Sequence, residues 1–201
     1  MLTDRAYAEL CQTSYSDVPH YGTSDGARAF RTSIDGLTIF CFPGSRSFQD
    51  WAIDLIALPA DETESNNTLD LGPVHAGFLE RTRRCLNLIE PDLLSSGPHA
   101  LCGHSLGGAI ALLTGALMVA RGHTPPAVIV TFGAPRVGCD RYVEVLRSVS
   151  IRQYRFGSDP VPLVPTHPFK HAREPLLQVG VPIRSFDLFA NHKIKNYVSV
   201  L

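Results

Sequence analysis

Residues 103–107 read Gly-His-Ser-Leu-Gly, set between the short apolar run His99–Cys102 and the long apolar stretch Leu106–Ala120. A serine there adds nothing to packing, and the glycines weaken both a strand and a helix. The pattern G-x-S-x-G between a strand and a helix demands a very sharp turn. Side chains at the two outer positions would collide with the flanking elements, so glycine stands at both. Ser105 Oγ is then presented at the top of a sheet. The N–H groups opening the following helix, that of Leu106 first, point at the same spot, and the helix dipole favours negative charge there. This is chemistry for a serine nucleophile attacking a carbonyl, with a developing oxyanion held by backbone donors.

A serine hydroxyl is a weak nucleophile at neutral pH and needs a base that is itself oriented by a carboxylate. Where a strand–turn–helix carries the serine, the carboxylate and the histidine follow it in chain order, each on a loop after a later strand. Asp140, Asp159 and Asp187 all follow Ser105. Asp159 directly succeeds the strand-like run Ile151–Phe156, in a loop stiffened by Pro160, Pro162 and Pro165. Asp140 sits at a helix start, where an N-cap role accounts for it. Asp187, near the last loop, is the alternative carboxylate. Of the later histidines, His192 opens the last helix, beyond the last strand. His167 and His171 lie in a proline-rich stretch without a third ligand. His104 adjoins the serine but leaves a sharp turn in another direction, and His75 precedes it.

Around these residues the chain reads as alternating elements. Asp4–Tyr15 has helical periodicity. Ala27–Ile34 and Leu37–Phe42 are strand-like and flank the turn pair Asp35-Gly36. Gly77–Leu94 is an amphipathic helix, Leu106–Ala120 a buried one, and Ala127–Phe132 a β-branched run suited to a strand covered on both faces. A helix over Asp140–Val149, the strand Ile151–Phe156, an edge strand or hairpin within Leu176–Arg184 and a helix over Asn191–Leu201 complete the chain. Strands alternating with helices predict a mostly parallel central sheet with helices on both faces, and residues 1–201 read as a single domain.

Ser47-Phe48-Gln49-Asp50 is an S-x-x-D capping box, so a short helix can begin there. Over 47–58 it would carry Phe48, Trp51 and Leu55 on one face, with the chain's single tryptophan among them. A core-facing helix explains such a stripe, and so does a hinged cover over a neighbouring groove.

Composition excludes several classes. The chain has 201 residues, 44% hydrophobic and 18% charged, with a formal net charge of −1, so no overall field points to nucleic acid. Its densest cationic group, Arg81, Arg83 and Arg84, reads as a solvated helix face. Five cysteines without a C-x-x-C pair give no support to a zinc site or a thioredoxin-like motif. No metal and no organic cofactor is expected. No apolar run reaches the roughly 20 residues that span a bilayer. The N-terminal residues show no basic start followed by an apolar stretch. With an odd number of cysteines, that gives the expectation of a cytoplasmic protein as encoded, with release by lysis or a non-classical route as the other course.

In sequence order the motifs F-P-G-S-R-S-F-Q-D-W (42–51), V-H-A-G-F (74–78), G-H-S-L-G-G-A (103–109), T-F-G-A-P-R-V-G (131–138), S-D-P-V-P-L-V-P (158–165) and N-H-K-I-K-N-Y (191–197) resemble those of the class 3, or fungal-type triacylglycerol, lipases. That resemblance implies an α/β-hydrolase fold with a short helical lid. It implies Ser105, Asp159 and His192 as a catalytic triad and Ser45 with Leu106 as the oxyanion hole. It also implies a lipid or other acyl ester as substrate, with transient lipid-surface contact through the lid. The expected activity is that of a lipase or esterase. Phospholipase A1 or acyltransferase activity, or a non-catalytic module of the same fold, are the alternatives. The chain departs from the family in Pro43, where many members carry arginine, and in lacking the paired cysteines of the secreted fungal enzymes.

Overall fold

The computed structural model describes residues 2–23, 27–45, 71–187 and 189–201. The candidate lid 47–58, with Phe48, Trp51 and Leu55, lies outside the described residues. Among the described residues seven strands form one sheet in the order β1-β2-β3-β4-β5-β6-β7, which is also their order in the chain. They are β1 (Tyr21–Gly22), β2 (Arg28–Ile34), β3 (Leu37–Phe42), β4 (His99–His104), β5 (Val128–Phe132), β6 (Ile151–Phe156) and β7 (Leu177–Val179). The pairs β1–β2 and β2–β3 are antiparallel. From β3 to β7 every pair is parallel. The switch falls where the sequence changes from a hairpin turn to helical crossovers, which parallel strands require.

Helix α1 (Asp4–Thr13) starts from Thr3, whose hydroxyl accepts the N–H of Ala6. With α5 (Ile194–Val200) it covers one face of the sheet. Tyr7, Ala8 and Cys11 of α1 and Tyr197 of α5 pack there on Ile39, Cys41, Cys102, Val130 and Phe132. The other face is covered by α2 (Ala76–Ser95), α3 (Leu106–Ala120) and α4 (Asp140–Val145). Helix α3 lies at the centre of this layer, buried from Leu106 to Met118, as a helix that is apolar on every side must be. Among the described residues no helix is long and apolar enough to cross a membrane.

The consequence for chemistry is one of placement. In a parallel sheet all loops after the strands emerge at one edge, and ligand sites collect there. Here those loops carry Ser45 after β3, Ser105 after β4, Gly133 after β5, Asp159 after β6 and His192 after β7. Most predicted elements match closely. The predicted final helix differs: residues 190–192 form a 3-10 turn, and α5 starts only at Ile194. Asn196 explains the break, because its N–H bonds the Lys193 carbonyl at 2.9 Å and its side-chain amide donates to the Ala190 carbonyl at 2.8 Å. The His192 carbonyl is thereby released for another partner.

Candidate active site

Ser105 is the residue immediately before α3 and has φ 58° and ψ −127°. Among the described residues only Asp35, in the β2–β3 turn, shares a positive φ without being glycine. Such strain persists only where the surroundings over-determine it, and here they do. A Cβ on Gly107 would stand 1.9 Å from the Phe42 carbonyl oxygen, and one on Gly103 would stand 2.2 Å from that of Gly107. The strand–turn–helix is therefore closed on itself and pressed against the end of β3. The Ser105 N–H donates to the Phe132 carbonyl at 2.9 Å, tying the turn to β5 as well. Ser105 Oγ is buried and has no hydrogen-bond partner among the described residues.

Asp159 and His192 meet. His192 Nδ1 donates to Asp159 Oδ2 at 2.7 Å, with both side chains nearly or fully removed from solvent. A carboxylate only accepts, so in neutral His192 this bond leaves the basic lone pair on Nε2. The carboxylate holds two further donors. Tyr197 Oη of α5 donates to Oδ2 at 2.8 Å, and the Val161 N–H to Oδ1 at 3.0 Å. Burial, and then the charge of Asp159, push the Tyr197 phenol well above its ordinary pKa, so it remains a donor. The Asp159 loop is braced from outside by His171, whose Nε2 donates to the Pro162 carbonyl at 2.7 Å, and by Arg136, which donates to the Leu163 carbonyl at 2.6 Å. His171 is thus a structural pin, while His167 is exposed.

Gly133 completes the contact. Its φ is 58°, and an added Cβ would lie 2.7 Å from Asp159 Oδ2 and 2.9 Å from His192 Nδ1. The base, the carboxylate and the backbone of 132–133 are therefore packed in direct contact, and Ser105 bonds to that same backbone. Nucleophile–base hydrogen bonds often close only when substrate is present.

The remaining candidates fall elsewhere. Asp187 caps the turn before His192 by accepting the Phe189 N–H at 3.0 Å, and pairs with Lys193 at 3.1 Å. Asp140 is the first residue of α4 after Cys139 and pairs with Lys170 at the surface, so it is helical and not the cap itself. His75 stacks on Phe78 with ring centroids 4.2 Å apart. Ser45 and Leu106 both border a cavity of about 410 Å³ whose wall includes Ala27, Cys85 and Ile110, together with Arg28 and Arg81. Ser45 also borders a second cavity, of about 280 Å³, with Tyr15, His104 and His192. Among the described residues one group of three soft donors occurs: Cys11, Cys41 and Cys102 bring their sulfurs within 4.8 Å of one another. They pack in the apolar layer below the turn, where buried thiols behave as small hydrophobic groups.

Tyr197 and Gly133 are the site residues that sequence reasoning missed. Their motifs, N-H-K-I-K-N-Y and T-F-G-A-P-R-V-G, were recognised, but nothing local says which member of each touches the carboxylate.

Parallel strands feeding one edge, a strained serine between strand and helix, and an Asp–His pair on later loops define an α/β-hydrolase. The comparisons narrow this further. Residues 39–169 match the family described as Lipase (class 3). Toxin TseL of Vibrio cholerae serotype O1 is 41% identical over 98 residues, covering 46% of this chain and 15% of that protein. Lipase A of Sodiomyces alcalophilus is 30% identical over 161 residues, covering 63% of this chain and 39% of that protein. The Rhizomucor miehei triacylglyceride lipase structure superposes with a TM-score of 0.68 at 23% identity, over 88% of this chain and 78% of that one. The chain spans less than half the length of these two curated relatives. It belongs to the class 3 lipases.

Proposed function

We propose that the chain is a serine hydrolase of carboxylic esters, acting on acyl lipids. The observation that carries the reading is the buried His192–Asp159 pair at 2.7 Å beside a serine held at positive φ. In the proposed cycle His192 Nε2 takes the Ser105 proton as Oγ attacks the ester carbonyl. Asp159 holds the imidazole and stabilises its charged form. The Leu106 N–H and Ser45 hold the oxyanion at the N-terminus of α3. His192 returns the proton to the departing alcohol. Water, deprotonated by the same imidazole, then attacks the acyl-enzyme; the imidazolium returns that proton to Ser105 Oγ as the ester bond breaks and the fatty acid leaves. None of these steps calls on a metal or an organic cofactor.

The apolar wall formed by Ala27, Cys85, Leu106 and Ile110 suits an acyl chain running away from Ser45. Arg28 and Arg81 on the same wall favour a second reading in which the ester belongs to an anionic phospholipid. Contact with a lipid surface through 47–58, and action within the cytoplasm, belong to the same proposal.

A fluorophosphonate probe tests the nucleophile. It should label the protein but not Ser105→Ala, and that variant should lose turnover by on the order of a million-fold. Residual ester hydrolysis within tenfold of the parent would overturn Ser105 as the nucleophile, and a parent that neither takes the label nor turns over ester would be a non-catalytic module. A p-nitrophenyl ester chain-length series run beside a phospholipid panel separates neutral from anionic substrates.

A further inference from the structure

His104, beside the nucleophile in sequence, is placed for a task of its own. Its side chain is buried, and its ring lies on that of His192 with centroids 4.6 Å apart and planes 33° apart. Its Nε2 stands 2.7 Å from the His192 carbonyl oxygen, and its Nδ1 stands 2.6 Å from Tyr15 Oη. A carbonyl oxygen only accepts, so His104 carries its proton on Nε2. Nδ1 is then an acceptor, and the Tyr15 hydroxyl must donate to it. The Tyr15 oxygen in turn lies against the backbone of Gly44. Close approach there requires glycine, since a Cβ on residue 44 would lie 2.2 Å from Tyr15 Oη.

The result is one directed chain of hydrogen bonds, Tyr15 O–H to His104 Nδ1 and His104 Nε2–H to the His192 carbonyl, with Tyr15 packed against Gly44 at its start. It joins the loop that carries Ser45, the turn that carries Ser105 and the loop that carries His192. Resting on the hydrolase reading above, we propose that Tyr15 and His104 are positioning residues that lock these three loops in register and keep His104 neutral beside the imidazolium formed during turnover. Tyr15 does the second by occupying the only basic lone pair on His104. A charged His104 would stand against the charge that His192 must acquire. Burial first, and then the neighbouring His192, hold His104 well below the ordinary histidine range, which agrees with a neutral ring.

The test compares Tyr15→Phe with Tyr7→Phe. Tyr7 lies on α1, two turns before Tyr15, and its buried hydroxyl has no hydrogen-bond partner among the described residues, so it controls for loss of a buried hydroxyl. Tyr15→Phe should lower kcat by about tenfold to a hundredfold with KM nearly unchanged, as the loss of an orienting partner does. Tyr7→Phe should keep kcat within about twofold, the scale of a change that leaves catalytic geometry alone. His104→Gln, whose amide can still donate to the His192 carbonyl, should retain more kcat than His104→Leu. Independently of activity, histidine 15N shifts should show His104 as the Nε2–H tautomer, still neutral where a free histidine has become protonated. In Tyr15→Phe that neutral form should give way as the pH falls.

Equal kcat in Tyr15→Phe and the parent, equal losses in both tyrosine variants, or a parent His104 that titrates like a free histidine would each overturn the proposal. Failure of the fluorophosphonate to label the parent would instead overturn the hydrolase reading, with the 15N result still deciding the hydrogen-bond chain.

Discussion

Tyr197→Phe removes one oxygen from the site and nothing else. The ring stays, with its edge contacts to Phe132 and Phe156 at centroid distances of 5.7 and 5.8 Å. The hydroxyl is lost, and it does two things: it donates to Asp159 Oδ2 at 2.8 Å and accepts the Phe156 N–H at 3.1 Å. A hydrogen bond to a buried charged group contributes about 1.5–3 kcal/mol, and an orphaned buried N–H costs about 1–3 kcal/mol. Both act through one oxygen, so they do not simply add, and a net loss of about 3 kcal/mol is expected from these ranges. For a protein of this size that lowers Tm by roughly 6–12 °C. Turnover should fall about tenfold, because Asp159 keeps His192 and the Val161 N–H but loses the donor that fixes Oδ2 from the side of α5. Thermal denaturation followed by circular dichroism, with ester hydrolysis on the same preparation, measures both. A Tm within about 2 °C of the parent, less than 1 kcal/mol of change would give, together with unchanged kcat would refute the view that Tyr197 holds the carboxylate.

Gly133→Ala should cost about a hundredfold in kcat through displacement of the Asp159–His192 pair, since its Cβ would enter their van der Waals space at 2.7–2.9 Å; steady-state kinetics on refolded protein measures it, and kcat near the parent's would mean the pair does not rest on this backbone. Stability should fall between pH 7 and pH 5. Burial lowers the pKa of His104 and of His171 in the fold. The unfolded chain therefore binds protons that the folded one refuses. The loss begins near the unfolded histidine value of about 6.5 and grows by up to about 1.4 kcal/mol per pH unit for each residue until the folded pKa is reached. Urea unfolding at pH 7 and pH 5 reads this directly, and equal midpoints would contradict neutral buried histidines.

Ser105, Asp159 and His192 were legible in the sequence for a shared reason. Each lies at a junction whose type the local pattern announces: glycines around a sharp turn, prolines stiffening a loop after a β-branched strand, and a polar break before a final helix. Chain order along a parallel sheet then brings those junctions to one edge without knowledge of any contact. Tyr15, Tyr197, Gly133 and the role of His104 were not legible in that way. Tyr197 falls on the packed face of α5, where an aromatic residue reads as core, and its hydroxyl reaches Asp159 beside the end of β6. Tyr15 lies past the end of α1, 90 residues before Ser105, and no local rule links it to the nucleophile.

The same reasoning explains why His192 lies outside the final helix. In a first helical turn its carbonyl would be committed to a backbone N–H four residues on. The 3-10 turn at 190–192 and the Asn196 bonds to Lys193 and Ala190 free it. One residue can then face Asp159 with its ring and His104 with its backbone. A helix-period pattern carries no information about that release. Asn196, which enforces it, reads in sequence as an ordinary polar helix residue. What sets the geometry of the base is therefore a set of hydrogen bonds around it, most of them from side chains that sequence motifs do not single out.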